Sequence, residues 1–240
     1  MASNSWLDGV RDRLEAFLTG EVEVVATRDA ATVVIVRDAD EGPGVEVFLM
    51  ERAPSMAFAA GAHVFPGGGV DPKDAECVHE VPPAWVSHLG ARDAAHAVAI
   101  VGCAIRETEE EVGITLAAHQ LLPWAHWITP EVEPRRFDTR FLIASLPEGQ
   151  QVVEAGTESV GGRWWKPADA LAECYAGRMM MLPPTIATLE ELKAFSSAAD
   201  VMASAATRDI TTVMPRLALH DDQLVLLHPG DEGYDEAALS

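Results

Sequence analysis

Four glutamates, Glu107, Glu109, Glu110 and Glu111, occupy five consecutive positions in the stretch RETEEEVGI, residues 106–114. Gly113 reads as a helix stop, so these carboxylates crowd the negative end of a helix macrodipole, at about 0.3–1 kcal/mol each. Like charges spaced i, i+3 and i, i+4 add about 0.2–0.5 kcal/mol per pair. Glutamate is a good helix former, and a solvated helix face is the plain alternative. A divalent cation among the carboxylates would cancel both penalties, and hard ions such as Mg²⁺ take oxygen ligands.

The helix that must position them runs from Asp93, a suitable N-cap, to Gly113, a suitable C′ residue. Val98, Val101, Ile105, Thr108 and Val112 recur at i+3 and i+4 and form one mostly apolar stripe. On a helical wheel Glu107, Glu110 and Glu111 lie about 100° or more from Ile105, which gives the helix a core face and a carboxylate face.

Upstream, GEVEVVATRD, ATVVIVRD and GVEVFLMER read as strands, and GAHVFPGGGVD as a strand end entering a glycine loop. Residues 72–92 read as an inserted surface loop with one helical turn near Trp85. Residues 5–18 read as an amphipathic helix. Downstream, HWITPEVEPRRFDTRFLIASL and SVGGRWWKP predict strands. KPADALAECYAG, PTIATLEELKAF and the alanine-rich segment after Ser196 predict helices, and ITTVMPRLAL with QLVLLHP a final strand pair. The expected organisation is one domain over residues 1–240. Its core spans about 22–195, with an N-terminal helix, the insertion and a C-terminal extension over 196–240.

The chain carries 38 acidic and 17 basic residues, a formal charge of −21, which disfavours nucleic-acid backbones and anionic membranes. No run approaches the ~18 apolar residues of a membrane span, and the N-terminus lacks a signal peptide's apolar stretch; the expected location is the cytoplasm. Cys77, Cys103 and Cys174 have no CxxC spacing and are expected as buried, reduced thiols. An anionic substrate would need local positive charge, from a metal ion or from Arg52, Arg135, Arg136 and Arg140.

Phe65-Pro66-Gly67-Gly68 taken with RETEEEVGI resembles the Nudix hydrolase signature, G-x5-E-x7-R-E-U-x-E-E-x-G-U. Arg106, Glu107, Glu110, Glu111, Gly113 and Ile114 match its second half, with Thr108 at the loosely apolar place. In the first half Asp74 stands where the family has Glu. It is separated from Arg106 by 31 residues where the pattern has 7, an excess of 24. A subgroup that includes the peroxisomal coenzyme A diphosphatases carries extra residues at this place. Its "FDT" and "PPT…TL..L" pieces are matched by Phe137–Thr139 and Pro183–Leu192.

The resemblance implies an α+β fold, an α/β/α sandwich around a mixed β-sheet, and hydrolysis of a diphosphate linkage with Mg²⁺ or Mn²⁺. Glu107, Glu110 and Glu111 are the implied metal ligands, with the Gly67 carbonyl. Arg106 orients the glutamates, Glu158 is a candidate general base, and Arg52, Phe65, Gly67, Gly68, Arg136 and Arg140 are candidate substrate-binding residues. The expected partner is a small anionic diphosphate, and the expected state a monomer or homodimer. Coenzyme A or an acyl derivative is the first substrate reading. In the coenzyme A signature of some Nudix enzymes Gly61 and Phe65 fit, but Ala57 occupies the arginine place. ADP-ribose, NADH and nucleotide sugars stay open, as does a silent nucleotide-binding module.

Overall fold

The computed structural model describes residues 5–21, 23–54, 59–76, 81–153, 159–220 and 223–238. In chain order the elements are α1 (Ser5–Leu18), β1 (Arg28–Asp38), β2 (Val45–Arg52), β3 (Ala62–Val64), β4 (Gly67–Gly69), α2 (Trp85–His88) and α3 (Ala94–Val112). There follow β5 (Leu122–Ile128), β6 (Phe137–Ser145), β7 (Ser159–Trp165), α4 (Pro167–Tyr175), β8 (Met180–Met181), α5 (Pro183–Leu192) and α6 (Ala198–Ala205). The chain ends with β9 (Thr212–Val213), β10 (Arg216–His220) and β11 (Gln223–Leu227). Among the described residues no helix is long and apolar enough to cross a membrane.

Two compact units emerge, Ala30–Ala125 with Arg140–Ile210, and Met1–Asp29 with His126–Thr139 and Thr211–Ser240. The larger unit is built on a mixed sheet in the order β8-β3-β2-β1-β6-β5, with β7 on β2 and β4 on β1. β3 and β8 run parallel, whereas β1, β2, β4 and β7 pair antiparallel. Val33 and Ile35 of β1 and Phe48 and Met50 of β2 point to one face by the period-two alternation of a strand. There they pack on Ala97, Ile100, Val101 and Ala104 of α3 in one core cluster.

In the smaller unit β9 pairs in parallel with His126–Trp127, and β10 and β11 form an antiparallel hairpin, the expected final strand pair. His126 bridges Asp138 (Nε2 to Oδ1, 2.5 Å) and Thr212 (Nδ1 to Oγ1, 2.8 Å).

Three local expectations are corrected. Among the described residues of GEVEVVATRD only Arg28 and Asp29 are in a strand, and Val24 and Val25 are exposed, with no described strand beside them to bury their branched side chains. The glycines after Pro66 are a strand and not a loop, because they pair with β1. Residues 72–92 are more than a surface excursion, since Asp74, Trp85 and Leu89 are buried and the last two join the core under α3. Cys103 is buried, Cys174 half-buried, and both are free thiols; Cys77 lies outside the described residues.

Candidate active site

The sheet forks at this site. β1 pairs with β2 at Val36–Asp38, but its earlier residues Ala30–Thr32 pair with β4, while Met50 and Glu51 of β2 pair with β3. β6 takes the other edge of β1 and β7 the other edge of β2. The turn from β3 to β4 therefore enters the gap between β1 and β2, and at its tip Val33 N donates to Pro66 O at 2.8 Å. A Cβ on Gly67 would fall 2.4 Å from Ala31 O and 2.7 Å from Thr32 Cα, so only glycine lets the turn seat this deeply.

α3 lies against this turn. Asp93 caps it by accepting from His96 N at 2.8 Å, and Gly113 ends it at φ 67°, a left-handed conformation that glycine adopts without strain. Thr108, at the loosely apolar signature position, is buried and donates its hydroxyl to Ala104 O at 2.7 Å, which satisfies its polar atom inside the core. The Gly67 N–H donates to Glu111 Oε2 at 2.8 Å. A Cβ on Gly68 would fall 2.3 Å from Glu107 Oε1, so the bare Gly68 leaves a cradle for that carboxylate.

Arg106 ties the cluster together. Its Nε and Nη2 donate to Asp74 Oδ1 and Oδ2 at 2.6 and 3.0 Å, and its Nη1 donates to Glu107 Oε1 at 2.7 Å and Glu110 Oε2 at 3.1 Å. Nη2 also reaches Gly69 O at 3.2 Å. Three carboxylates and a fixed fork thus hold each other in a charge-assisted network. Burial pushes the Glu107 carboxyl upward, against the pull of Arg106. Burial acts the same way on Asp74, but its bonds to Arg106 and to the Asp71 N–H outweigh it and hold that carboxyl below the usual range. Those partners hold Arg106 firmly protonated, Asp74 foremost, and burial pushes the nearby Cys103 thiol up to about 12, which leaves it inert.

The donor chemistry fits a hard divalent ion: Glu107 and Glu111 lie against a turn whose glycines expose backbone, and Glu110 sits on the same helix. Among the described residues no three His, Cys, Asp or Glu side chains yet converge as a ready ligand set, and the Arg106 guanidinium stands between Glu107 and Glu110. Glu107 and Glu110 each have a second oxygen beside the one on Arg106, so the fit to an ion is one of donor chemistry.

Of the remaining expected residues, Phe65 is buried at the turn and Arg52 lies half-buried at the end of β2. Arg140 is 2% exposed and donates to Leu89 O and Gly90 O at 2.9 and 3.2 Å, clamping the end of the insertion. Arg136, in the smaller unit, donates to Thr129 O and Val25 O at 3.1 and 2.9 Å. Arg135 is exposed, and Glu158 lies outside the described residues. Gly102 escaped the sequence reading: its α-carbon faces the Asp74 backbone, and the available signal was an isolated glycine inside a helical pattern.

The NUDIX domain family matches residues 26–180. The chain is 24% identical to the acyl-coenzyme A diphosphatase NUDT19 of Homo sapiens over 80% of its own length and 73% of that protein's. For the Xenopus laevis protein of the same name the values are 25%, 80% and 72%. Among solved structures, a NUDIX hydrolase from Alicyclobacillus acidocaldarius superposes with TM-score 0.63 at 26% identity, over 78% of this chain and 99% of that one.

Proposed function

The chain belongs to the Nudix family and is a diphosphatase, and from that premise we propose that it cleaves a coenzyme A-type diphosphate with Mg²⁺ or Mn²⁺ bound. The observation that carries this is Glu107 and Glu111 held against the Gly67–Gly68 turn, with Glu110 sharing the Arg106 guanidinium with Glu107. When bound, the ion neutralises the phosphates and lowers the pKa of a water. Glu107, Glu110, Glu111 and the Gly67 carbonyl would hold it, and Gly68 lets the phosphates approach the backbone. Arg106 keeps Glu107 and Glu110 aimed, and Asp74 keeps Arg106 aimed. Glu158 is our proposed base, taking the proton from the attacking water. Arg52, half-buried at the end of β2, is the proposed cation for the substrate. The coenzyme A reading rests on the two diphosphatases named above, and the cytoplasm is its proposed setting.

Ala57 at the arginine place of the coenzyme A signature favours ADP-ribose, NADH or nucleotide sugars as the next reading. Arg106 standing among the glutamates favours a silent nucleotide-binding module as a reading of another class. A panel of coenzyme A, an acyl-coenzyme A, ADP-ribose, NADH and a sugar nucleotide, with product identification in Mg²⁺ and Mn²⁺, separates all three. Fastest cleavage of the coenzyme A compounds is expected. No turnover with any of them, alongside ligand-induced thermal shifts, would establish the silent module.

A further inference from the structure

In the smaller unit three polar side chains on neighbouring strands form one hydrogen-bonded line. His126 lies on β5, Asp138 on β6 and Thr212 on β9, where Thr212 is the register partner of His126. His126 Nε2 meets Asp138 Oδ1 at 2.5 Å, and Thr212 Oγ1 meets His126 Nδ1 at 2.8 Å. The histidine is 6% exposed, so its ring nitrogens depend on partners within the protein.

The carboxylate fixes the direction of the line. It can only accept, so Nε2 carries the ring proton and donates it to Asp138. The neutral ring then has a bare Nδ1, and the Thr212 hydroxyl donates its hydrogen to it. A hydroxyl that donates to an imidazole, whose other nitrogen is held by an aspartate, is the arrangement that activates a nucleophile. Thr212 is exposed, so its oxygen can be reached from solvent while the base behind it stays buried. Among the described residues β9 also ends the sheet order. An edge strand turns backbone N–H groups outward, and these are donors of the kind that hold an oxyanion.

We propose that Thr212, His126 and Asp138 form a catalytic centre of their own, using none of the glutamates, that takes an acyl group from a carboxylic ester and passes it to water. Thr212 Oγ bonds to the ester carbonyl carbon as its proton moves to His126 Nδ1. The bond from that carbon to the alkoxide oxygen breaks, and the alcohol leaves with the proton. Water then gives a proton to Nδ1 and its oxygen to the acyl carbon. The carboxylic acid departs, and the Thr212 oxygen takes the proton back.

The test treats the full chain with diisopropyl fluorophosphate, which leaves a stable adduct on activated hydroxyls, and locates the adduct by peptide mass spectrometry. Thr211 is the internal control, because it is also exposed while the bond to His126 is made by its neighbour. Thr212 should react about 100-fold faster, a contribution typical of a positioned general base. His126→Gln and Asp138→Asn should each bring Thr212 down toward Thr211, and Thr212→Ser should keep the reaction. Thr212→Val should remove most of the chain's hydrolysis of p-nitrophenyl acetate. Equal labelling of the two threonines, or a Thr212 adduct undiminished by His126→Gln, overturns the proposal, as does ester hydrolysis unchanged by Thr212→Val. Should His126→Gln fail to fold, the comparison of Thr212 with Thr211 in the parent chain still decides.

Discussion

Asp74 and Gly102 stand so close that a Cβ built on Gly102 would fall 2.0 Å from the Asp74 carbonyl oxygen. The side chain of Asp74 is one methylene shorter than the glutamate of the family pattern, yet it reaches Arg106 at 2.6 Å because its backbone presses on α3. Gly102 makes that approach possible. Gly102→Ala should therefore cost about 1–3 kcal/mol, as overpacking does. Asp74→Glu, whose longer side chain needs a more distant backbone, should be less harmful on the Gly102→Ala background than on the parent. Denaturant titrations of the four proteins check this, and strict additivity would show that the two positions are uncoupled.

Arg106 is the partner of a fully buried carboxylate. Arg106→Ala should destabilise the fold by about 3–5 kcal/mol, because it strands Asp74 as an unpaired buried charge. The double variant Arg106→Ala with Asp74→Asn should recover part of that loss. Chemical unfolding measures both.

The acid dependence of stability should follow Asp74. Its folded carboxyl is held below the usual range, so it adds stability above the unfolded pKa of about 3.9 and loses it as pH falls through the lower folded value. Glu107, pushed up by burial, has the opposite sign: its cost appears above the unfolded pKa of about 4.3 and grows as pH rises through its folded value. Asp74→Asn should flatten the acid limb of a stability profile recorded in chelator. An unchanged limb would place the acid sensitivity elsewhere.

Glu110→Gln and Glu111→Gln should leave the metal-free fold within a few tenths of a kcal/mol of the parent, since relieved repulsion offsets a weakened bond. Mg²⁺ should raise the melting temperature of both variants less than that of the parent. Turnover should fall by orders of magnitude, since metal charge stabilisation contributes several kcal/mol to the transition state. Parental Mg²⁺ response and parental turnover together would reduce these glutamates to a solvated face.

Arg140→Met should lower the melting temperature and change KM little, because the guanidinium holds Leu89 O and Gly90 O inside the larger unit. A rise in KM at unchanged stability would instead make Arg140 a substrate-binding residue.

The features that the sequence alone determined are local. Asp93 and Gly113 bound α3 because an aspartate cap and a left-handed glycine act within one helical turn. The glutamates share a side because 3.6-residue periodicity puts them there. The signature half carried by Arg106–Ile114 has the same origin, since it rests on spacing within and just past one helix. Only the tertiary structure decided what lies across chain separation. Gly67–Gly69 become a strand because β1 parts from β2 and offers an edge, and residues 23–27, though rich in valine, gain no such edge. Asp74 meets Arg106 across 31 intervening residues because Gly102 admits its backbone, and Arg140 serves the insertion because the buried Leu89 carbonyl needs a donor in the core. Strand pairing and buried polar contacts depend on which surfaces meet, and that is a property of the packed chain and not of any segment of it.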